Sequence, residues 1–403
     1  MNMRCIGTAC FCCSLGLCPA AQMDVTIEPG KATYVAGEPV FVTVKIANSG
    51  VTPLTIMVPN PDSCLSAIHV AIKELHRSDR SPCADRGDSS CSYDGPAPQS
   101  VEIKPNSSYE MRRLLNLMYD LGQPGKYHAH VHVRLEYADA PLAVTGEFSE
   151  RDYESDLTDE VVAGDAGALE AAFSPVLADL DSHDFKRQWY AQKVLLTLAP
   201  RFAESRILAW VDRVDLGQEV MPALRKLGTE VAIEKLESVA FEAPDGNEQR
   251  EPLRQAALEQ IKYIDDKSLL PKLLAITAQN RGQMLRWNAA SAAARIGHAE
   301  AVPAIGRMLA DPDPVIALAG AEALGDTASA DAVGVLISAI PAAAEGNTFP
   351  AIIDALARLT HRTETDFGDR MAAYRKWNTW WTVHHSDADI YGPDTCVTVT
   401  PVK

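Results

Sequence analysis

The stretch Leu285–Ile305, LRWNAASAAARIGHAEAVPAI, decides the fold of the C-terminal half because the chain repeats it on both sides. Leu253–Leu273 starts 32 residues earlier, and Ile316–Leu336 starts 31 residues later. Apolar residues return every three or four positions in all three segments, which predicts a helix, a short turn and a second helix in each. Self-similarity at this period is typical of stacked helical repeats that bury one continuous core.

Proline and alanine positions support the same interpretation. Pro271 and Pro303 fall at the predicted start of a second helix, where the missing N–H costs no hydrogen bond. Alanine recurs where two helices would approach closely, and leucine or isoleucine fills the rest of the apolar stripe. More degenerate copies are expected at Lys186–Leu198, Met221–Leu236 and Thr348–Thr360.

The repeats carry a family resemblance. Asp311–Gly325, DPDPVIALAGAEALG, and the stretch 285–305 resemble the short bacterial HEAT-like repeats named after phycobilisome lyases. The resemblance covers about half of the chain and implies a right-handed α–α superhelix, a HEAT-like solenoid, over residues 166–366. Since such repeats occur in many proteins, the name alone does not establish an activity.

Single positions depart from the repeat pattern. Ala317 stands where two other copies have Arg254 and Arg286, and Gly334 stands where they have proline. We expect these changes to weaken one polar contact between neighbouring repeats and to leave the fold intact.

In residues 24–152, apolar residues return at every second position instead of every third or fourth. Val40–Ala47, VFVTVKIA, places every second apolar side chain on one face, which predicts a strand between two turn-rich segments. Further strands are expected at Leu54–Val58, Ala67–Leu75, Val101–Ile103 and Lys126–Tyr137 and near Leu142–Phe148. Short strands at this spacing predict an antiparallel β-sandwich, so the chain should be all-β followed by all-α.

This region also carries a resemblance. The stretch 34–50, YVAGEPVFVTVKIANSG, and the later stretch 123–127, QPGKY, resemble the immunoglobulin-like domains common in bacterial secreted proteins. The resemblance covers about a third of the chain. It implies a fold and no particular ligand.

Residues 1–21 have the order of a secretory signal peptide. Arg4 precedes an uncharged apolar stretch that ends at Cys18, and the small pair Ala20 and Ala21 follows. A lipoprotein signal fits less well because Leu17, rather than a small residue, precedes Cys18. We therefore expect a mature chain that begins near residue 22 and is secreted or periplasmic.

Four of the nine cysteines lie after this segment. Cys83 and Cys91 flank a polar, turn-rich stretch whose ends can meet, which favours a disulfide between them. Cys64 could pair with Cys396, and that pairing stays open. No Cys-x-x-Cys spacing is present in this part of the sequence, so a cysteine metal site is disfavoured.

The charge balance excludes several partners. The chain has 54 acidic and 37 basic residues and a net charge of −17. Because phosphate binding requires a basic surface, nucleic acid is disfavoured, and so is an anionic membrane surface. No apolar run after residue 22 has the ~18 residues of a transmembrane helix. Six acids and one base in 151–165 indicate an acidic linker, placed at 153–165.

The C-terminal segments have a distinct composition. The stretch 370–385, RMAAYRKWNTWWTVHH, predicts a tryptophan-rich helix within 367–385, followed by a tail at 386–403. Tyr374, Trp377 and Trp381 share one face of this helix. They could form an aromatic platform for a sugar or peptide, or a cap that covers the last repeat, as terminal repeats require. We favour the cap.

One strand could carry metal chemistry. In Lys126–Tyr137, His128, His130 and His132 share a strand face, and neighbouring imidazoles can hold Zn²⁺ or Cu²⁺. The alternative is a polar sheet face that uses histidine, opposite an apolar face. We favour the second interpretation and assign no catalytic, cofactor or metal site.

Motifs for common chemistry are missing from the sequence. It has no Gly-x-Ser-x-Gly elbow, phosphate-binding glycine loop or His-Glu-x-x-His motif. No histidine is followed by glutamate, so the ligand pairs of iron-binding HEAT-like enzymes are missing too.

Two functional hypotheses follow. The favoured one is a non-catalytic secreted scaffold that binds a protein or cell-envelope component. The alternative is a metal-binding protein or a lyase- or oxidoreductase-type enzyme. For the scaffold, we expect an acidic partner along the second helices, where Lys267, Lys272 and Arg307 lie, although a solvated helix face would look similar. The oligomeric state stays open.

Overall fold

The computed structural model divides into two compact units, Met1–Ser174 and Pro175–Lys403. It describes residues 23–58, 69–75, 99–117, 121–138, 148–213, 215–242, 250–279, 282–343, 346–362, 369–386, 389–391 and 400–401. The expected signal peptide, all four later cysteines and most of the strand expected near Leu142–Phe148 lie outside the described residues.

The first unit contains two sheets. Its strands are β1 (Met23–Pro29), β2 (Thr33–Val35), β3 (Phe41–Asn48), β4 (Leu54–Val58), β5 (His69–Leu75), β6 (Gln99–Ile103), β7 (Ser107–Leu114), β8 (Gly125–Ala138) and β9 (Ser149–Val162). One sheet has the order β1-β3-β7, and the other has the order β2-β9-β8-β4-β6, with β5 also paired to β8. The pairings are antiparallel except for β2 with β9.

Alternation on the strands builds a shared core. Val42, Val44 and Ile46 of β3 are fully buried, as the period-two pattern predicts. They join one hydrophobic cluster with side chains of the other sheet, including Ile56 of β4 and Val133 of β8. The two sheets therefore enclose a common core.

The expectation of an acidic linker over 153–165 is wrong for most of its length. Strand β9 runs to Val162 and pairs with β8 from Ser149, opposite Tyr137, to Val161, opposite Gly125. Its exposed acids, such as Asp156, alternate with inward residues such as Leu157, so most of the charged run is one face of a half-buried strand, with Asp159 as the buried exception. Only the last residues lead out of the sheet, to Asp165, which caps the next helix.

The second unit is helical, and a short helix, α1 (Ala166–Ala172), ends the first. The helices that follow are α2 (Ser174–Leu180), α3 (Phe185–Leu198), α4 (Glu204–Ala209), α5 (Gly217–Leu227), α6 (Glu230–Ala240), α7 (Glu251–Ile261), α8 (Leu270–Thr277), α9 (Gln283–Gly297), α10 (Val302–Met308), α11 (Pro314–Gly325), α12 (Ala330–Ala339), α13 (Thr348–Thr360) and α14 (Arg370–His384). The three repeated segments each form a helix pair, α7–α8, α9–α10 and α11–α12. Pro271 and Pro303 lie in the first turn of α8 and α10, as predicted.

Small residues allow the helices to approach closely. The first helices of neighbouring pairs pack side by side, α7 on α9, α9 on α11 and α11 on α13. A Cβ atom on Gly325 of α11 would lie 2.6 Å from Arg358 Nη2 and 3.0 Å from the Cβ atom of Ala355, both on α13. These distances are shorter than ordinary contacts, so any larger residue at this crossing would force Arg358 and α13 to shift.

The tryptophan-rich helix forms as predicted, one residue shorter than expected. Trp377 of α14 is buried, and the nearest atom to a Cβ on Gly334 of α12 would be Trp381 Nε1, at 3.5 Å. Helix α14 therefore packs on α12. Near the C-terminus, β11 (Thr400–Pro401) pairs in parallel with β10 (Ile264–Asp265) of the helical unit. Among the described residues, no helix is long and apolar enough to cross a bilayer.

Candidate functional site: a groove across three first helices

The repeat places equivalent residues side by side on the first helices. The offsets of 32, 31 and 32 residues align Gln255, Trp287, Leu318 and Pro350 in one row. One turn further along, they align Glu259, Ser291, Glu322 and Asp354. All eight side chains are partly or fully exposed, so both rows lie on the outer surface of α7, α9, α11 and α13.

A groove of about 680 Å³ crosses α9, α11 and α13 along these rows. Its apolar lining includes Trp287, Leu318 and Pro350, and its polar lining includes Glu322 and Asp354. The volume falls within the range of about 300–1,000 Å³ that is usual for ligand pockets. The groove can therefore hold one long side chain with its neighbours.

Two carboxylates in the groove have no partner. The carboxylates of Glu322 and Asp354 make no hydrogen bond or ion pair with any residue that the structure describes. Burial raises the pKa of Glu322, and the nearby charges of Asp326 and Asp354 raise it further, whereas Arg358 lowers it. The groove thus holds negative charge that its own bases compensate only in part.

Arg358 is engaged elsewhere at the edge of the groove. Its Nη1 atom donates to Asp326 Oδ1 at 2.9 Å, and its Nη2 atom donates to the Glu322 backbone oxygen at 3.2 Å. On the other side of Asp326, Arg295 Nε lies 3.8 Å from Oδ2. Asp326 is therefore flanked by two bases, in contrast to Glu322 and Asp354.

This edge is itself a repeated row. The repeat offsets align Tyr263, Arg295, Asp326 and Arg358. The Arg295 guanidinium lies 5.3 Å from the centre of the Tyr263 ring, and Arg225 lies 5.1 Å from the same ring. Since each member contacts the next, the row links successive first helices through cation–π contacts and ion pairs.

Trp287 presents an aromatic surface to the groove. Its side chain is half-buried, and within the described part of the chain its ring stacks on no other ring and carries no cation. By contrast, Trp189 already has the Lys193 ammonium 4.9 Å from its ring centre. The indole of Trp287 is thus available to a ligand.

The three histidines share the outward face of β8, as predicted, and β9 supplies their partners. His128 Nδ1 lies 3.0 Å from Thr158 Oγ1, and His130 Nδ1 lies 2.7 Å from Asp156 Oδ1. His132 Nε2 lies 3.2 Å from an Asp152 oxygen, Oδ1. Composition alone does not reveal these neighbours, because a run of acids is also typical of a linker.

These cross-strand pairs alter the histidine chemistry. The hydrogen bond that the His130 ring donates to Asp156, with the charges of Asp156 and Glu154, raises the pKa of His130. The structure contains no group of three or more histidine, cysteine, aspartate or glutamate side chains arranged around a metal position, as far as its described residues extend. The geometry is that of a row of separate pairs.

The bases expected to line a binding surface lie on another part of the helical unit. Lys267, Lys272 and Arg307 are exposed at or next to the second helices α8 and α10. The Lys272 ammonium lies 5.0 Å from the centre of the Phe241 ring. The groove, in contrast, lies on the first helices. Its residues Trp287, Glu322 and Asp354 were not among the positions expected from the sequence to bind a partner. Aligning exposed positions of the repeats, in addition to buried ones, would have found them.

Comparison with known proteins identifies the helical repeats. Residues 247–319 match HEAT repeats, so this part of the chain is HEAT-like. An engineered protein of known structure covers 51% of this chain and 95% of its own, at 15% identity and a TM-score of 0.27. The second is the structure of aminopeptidase A of Legionella pneumophila in complex with aspartic acid. The match includes 84% of this chain and 40% of the aminopeptidase chain, at 10% identity and a TM-score of 0.29.

Neither solved structure is similar enough to support an argument about fold or activity. No curated protein matches the chain at a significant level. The chain is thus a β-rich unit with mainly antiparallel sheets, followed by a helical unit with HEAT-like repeats.

Proposed function

We propose that this chain is a non-catalytic binding protein whose HEAT-like unit holds a protein partner in the groove across α9, α11 and α13. The observation that carries the proposal is the groove, in which two unpaired carboxylates and an unstacked indole face solvent. HEAT repeats generally mediate contacts between proteins. Stacked helix pairs suit this role because their rows of equivalent side chains form extended surfaces.

The finer features of the fold belong to the same proposal. The two sheets around one core agree with an immunoglobulin-like sandwich, and the helix pairs agree with a right-handed superhelix. The packing of α14 on α12 agrees with a cap on the last repeat. In this proposal the β unit is a separately folded module of the same chain.

Export also belongs to the proposal. The order of residues 1–21 supports secretion or a periplasmic location, with a cell-envelope protein as partner. N-terminal sequencing of exported protein should give a chain that begins near residue 22.

Peptide mapping without reduction should recover Cys83 and Cys91 in one linked fragment, and recovery of both as free thiols would contradict the disulfide.

The alternative function, a metal-binding protein or enzyme that uses His128, His130 and His132, has less support. Each of these rings already has an oxygen partner on β9. A stoichiometric transition metal in the purified protein, lost on His130→Ala, would favour this alternative.

Site-specific photocrosslinking tests the proposed groove. A photoreactive phenylalanine analogue replaces Pro350, which is exposed at the edge of the groove, or Lys272, which is exposed on α8. Irradiation with envelope extract of the producing cells should give a saturable product at position 350 and little at 272. Ser291→Trp, which fills the groove, should abolish that product. Crosslinking at 272 alone, or a product that survives Ser291→Trp, would contradict the proposed site.

A further inference from the structure

We propose that the groove recognises a lysine or arginine side chain of its partner protein, whose cationic group lies between the Trp287 indole and the carboxylates of Glu322 and Asp354. This inference rests on the proposed function, because it names the chemistry that the same groove selects. It also reverses the charge expected from the sequence, since the bases at Lys272 and Arg307 had suggested an acidic partner.

Charge complementarity is the first argument. The carboxylate of Glu322 is half-buried and has no hydrogen bond or ion pair among the described residues, so the hydration that its ionised form loses is compensated only in part, by the charge of Arg358. Asp354, in the same groove and also unpaired, adds like charge. A bound cation would supply the missing counter-charge to both groups, and a bound anion would increase the repulsion.

The surrounding bases cannot take over this role. Arg358 is held by Asp326 and by the backbone oxygen of residue 322, and Arg295 also faces Asp326. The position equivalent to Glu322 in the previous repeat is Ser291, which carries no charge. A cationic ligand would therefore find both carboxylates without a direct ion pair among the described residues.

The aromatic and apolar lining fits a long basic side chain. Tryptophan is the ring that attracts cations most strongly, and the Trp287 ring has no other partner in the described structure. Leu318 and Ala357 provide apolar surface along which a methylene stem can lie while its charged end reaches the acids. A bare metal ion would use neither the indole nor these walls.

A binding experiment with short random-sequence peptides tests the inference. The labelled full-length chain is applied to an array of such peptides at physiological ionic strength, where contacts between distant surface charges are screened. The same array is probed with Glu322→Gln/Asp354→Asn. The matched control is Glu234→Gln/Asp331→Asn, which changes the net charge equally at exposed acids outside the groove. Far-ultraviolet circular dichroism verifies that both variants are folded.

We expect the peptides bound by the wild-type chain to be enriched in lysine and arginine. The groove variant should bind the best of these peptides about 2- to 30-fold more weakly, because it removes two partly exposed ion pairs while the Trp287 ring stays in place. Replacing the critical lysine of the peptide by norleucine should weaken binding at least as much, because it also removes the cation–π contact, and the control variant should bind normally.

Three results would overturn the inference: no bound peptide, bound peptides without basic enrichment, or an equal loss in the control variant. The photocrosslinking result separates this failure from failure of the proposed function. A partner that crosslinks at position 350 but keeps its affinity for Glu322→Gln/Asp354→Asn would leave the groove as the binding site and refute only its preference for a cation.

Discussion

A buried carboxyl in the β unit should make the stability of that unit depend on pH. Asp159 points inward from β9 and is 5% exposed, and its Oδ1 atom accepts no hydrogen bond within the described part of the chain. Burial raises the pKa of Asp159 from 3.8 to about 6. The charge of Asp159 also contributes to the raised pKa of the buried Tyr34 hydroxyl. We predict that Asp159→Asn stabilises the β unit at neutral pH.

The direction of this pH dependence follows from the protonation state of Asp159 in the folded and in the unfolded chain. Below the unfolded pKa of 3.8 the carboxyl of Asp159 is neutral in both states and burial of its charge costs nothing. Between 3.8 and about 6 the unfolded chain releases the proton first, so the free energy of unfolding falls as pH rises. Above about pH 6 the free energy of unfolding has fallen by its full amount. At ~1.4 kcal/mol per pH unit this amount is about 3 kcal/mol.

The isosteric amide removes this charge at every pH. We expect Asp159→Asn to raise the free energy of unfolding at neutral pH by about 1–3 kcal/mol, less than the full loss because the amide has its own unmet hydrogen bonds. Below pH 3.8 the variant should have no advantage. The measurement is urea-dependent hydrogen exchange resolved for peptides of β8 and β9, over this pH range.

Two controls belong to the experiment. All six tryptophans lie in the helical unit, so their fluorescence reports the unfolding of that unit and should not change. Asp156→Asn alters an exposed acid on the outward face of the same strand and should not stabilise it. If the stability difference between wild type and Asp159→Asn stays constant from pH 3.8 to neutral pH, the buried-charge explanation is refuted.

Three further predictions concern other contacts. Asp156→Asn should lower the pKa of His130 towards its ordinary value of 6.5 in an NMR titration, and an unchanged pKa would contradict the pairing. Arg286→Ala removes bonds to Thr277 O and Asp311 and should cost about 2–4 kcal/mol in urea unfolding monitored by tryptophan fluorescence. In the same assay Gly325→Ala should destabilise by about 1–3 kcal/mol, whereas Gly334→Ala, with its nearest contact at 3.5 Å, should stabilise by up to about 1 kcal/mol. Equal effects of the two glycine changes would refute the close-approach argument.

Local periodicity was sufficient to predict the units of this fold. Strand β3 and the helix pairs α7–α8, α9–α10 and α11–α12 were predictable because each buries one face, and the spacing of apolar residues along the chain reports that face directly. The prolines at 271 and 303 located the second helices for a similar reason, since the first turn of a helix tolerates a missing N–H. These signals depend only on residues within a few positions of each other.

The segment 153–162 shows where such reasoning failed. Its many acids suggested a solvated linker, yet the outward face of the strand carries all of them except the buried Asp159, and the inward face carries Leu157 and Val161 into the core. The long partner strand β8 decided the outcome, because pairing with it satisfies the backbone of β9 and sets His130 beside Asp156. The composition of a segment does not distinguish the residues of the outward strand face from those of the inward face.

The groove could not be predicted from local sequence patterns at all. Trp287, Glu322 and Asp354 are far apart along the chain and stand in three different repeats, so no local pattern joins them. Stacking of α9, α11 and α13 brings them to one surface, and the pairing of Arg358 with Asp326 leaves the two remaining acids without a direct ion pair among the described residues. The sequence determines that helices repeat and stack, since that information is periodic and local. Which charges are neutralised depends on side chains from successive repeats meeting in space, and only the packed structure decides that.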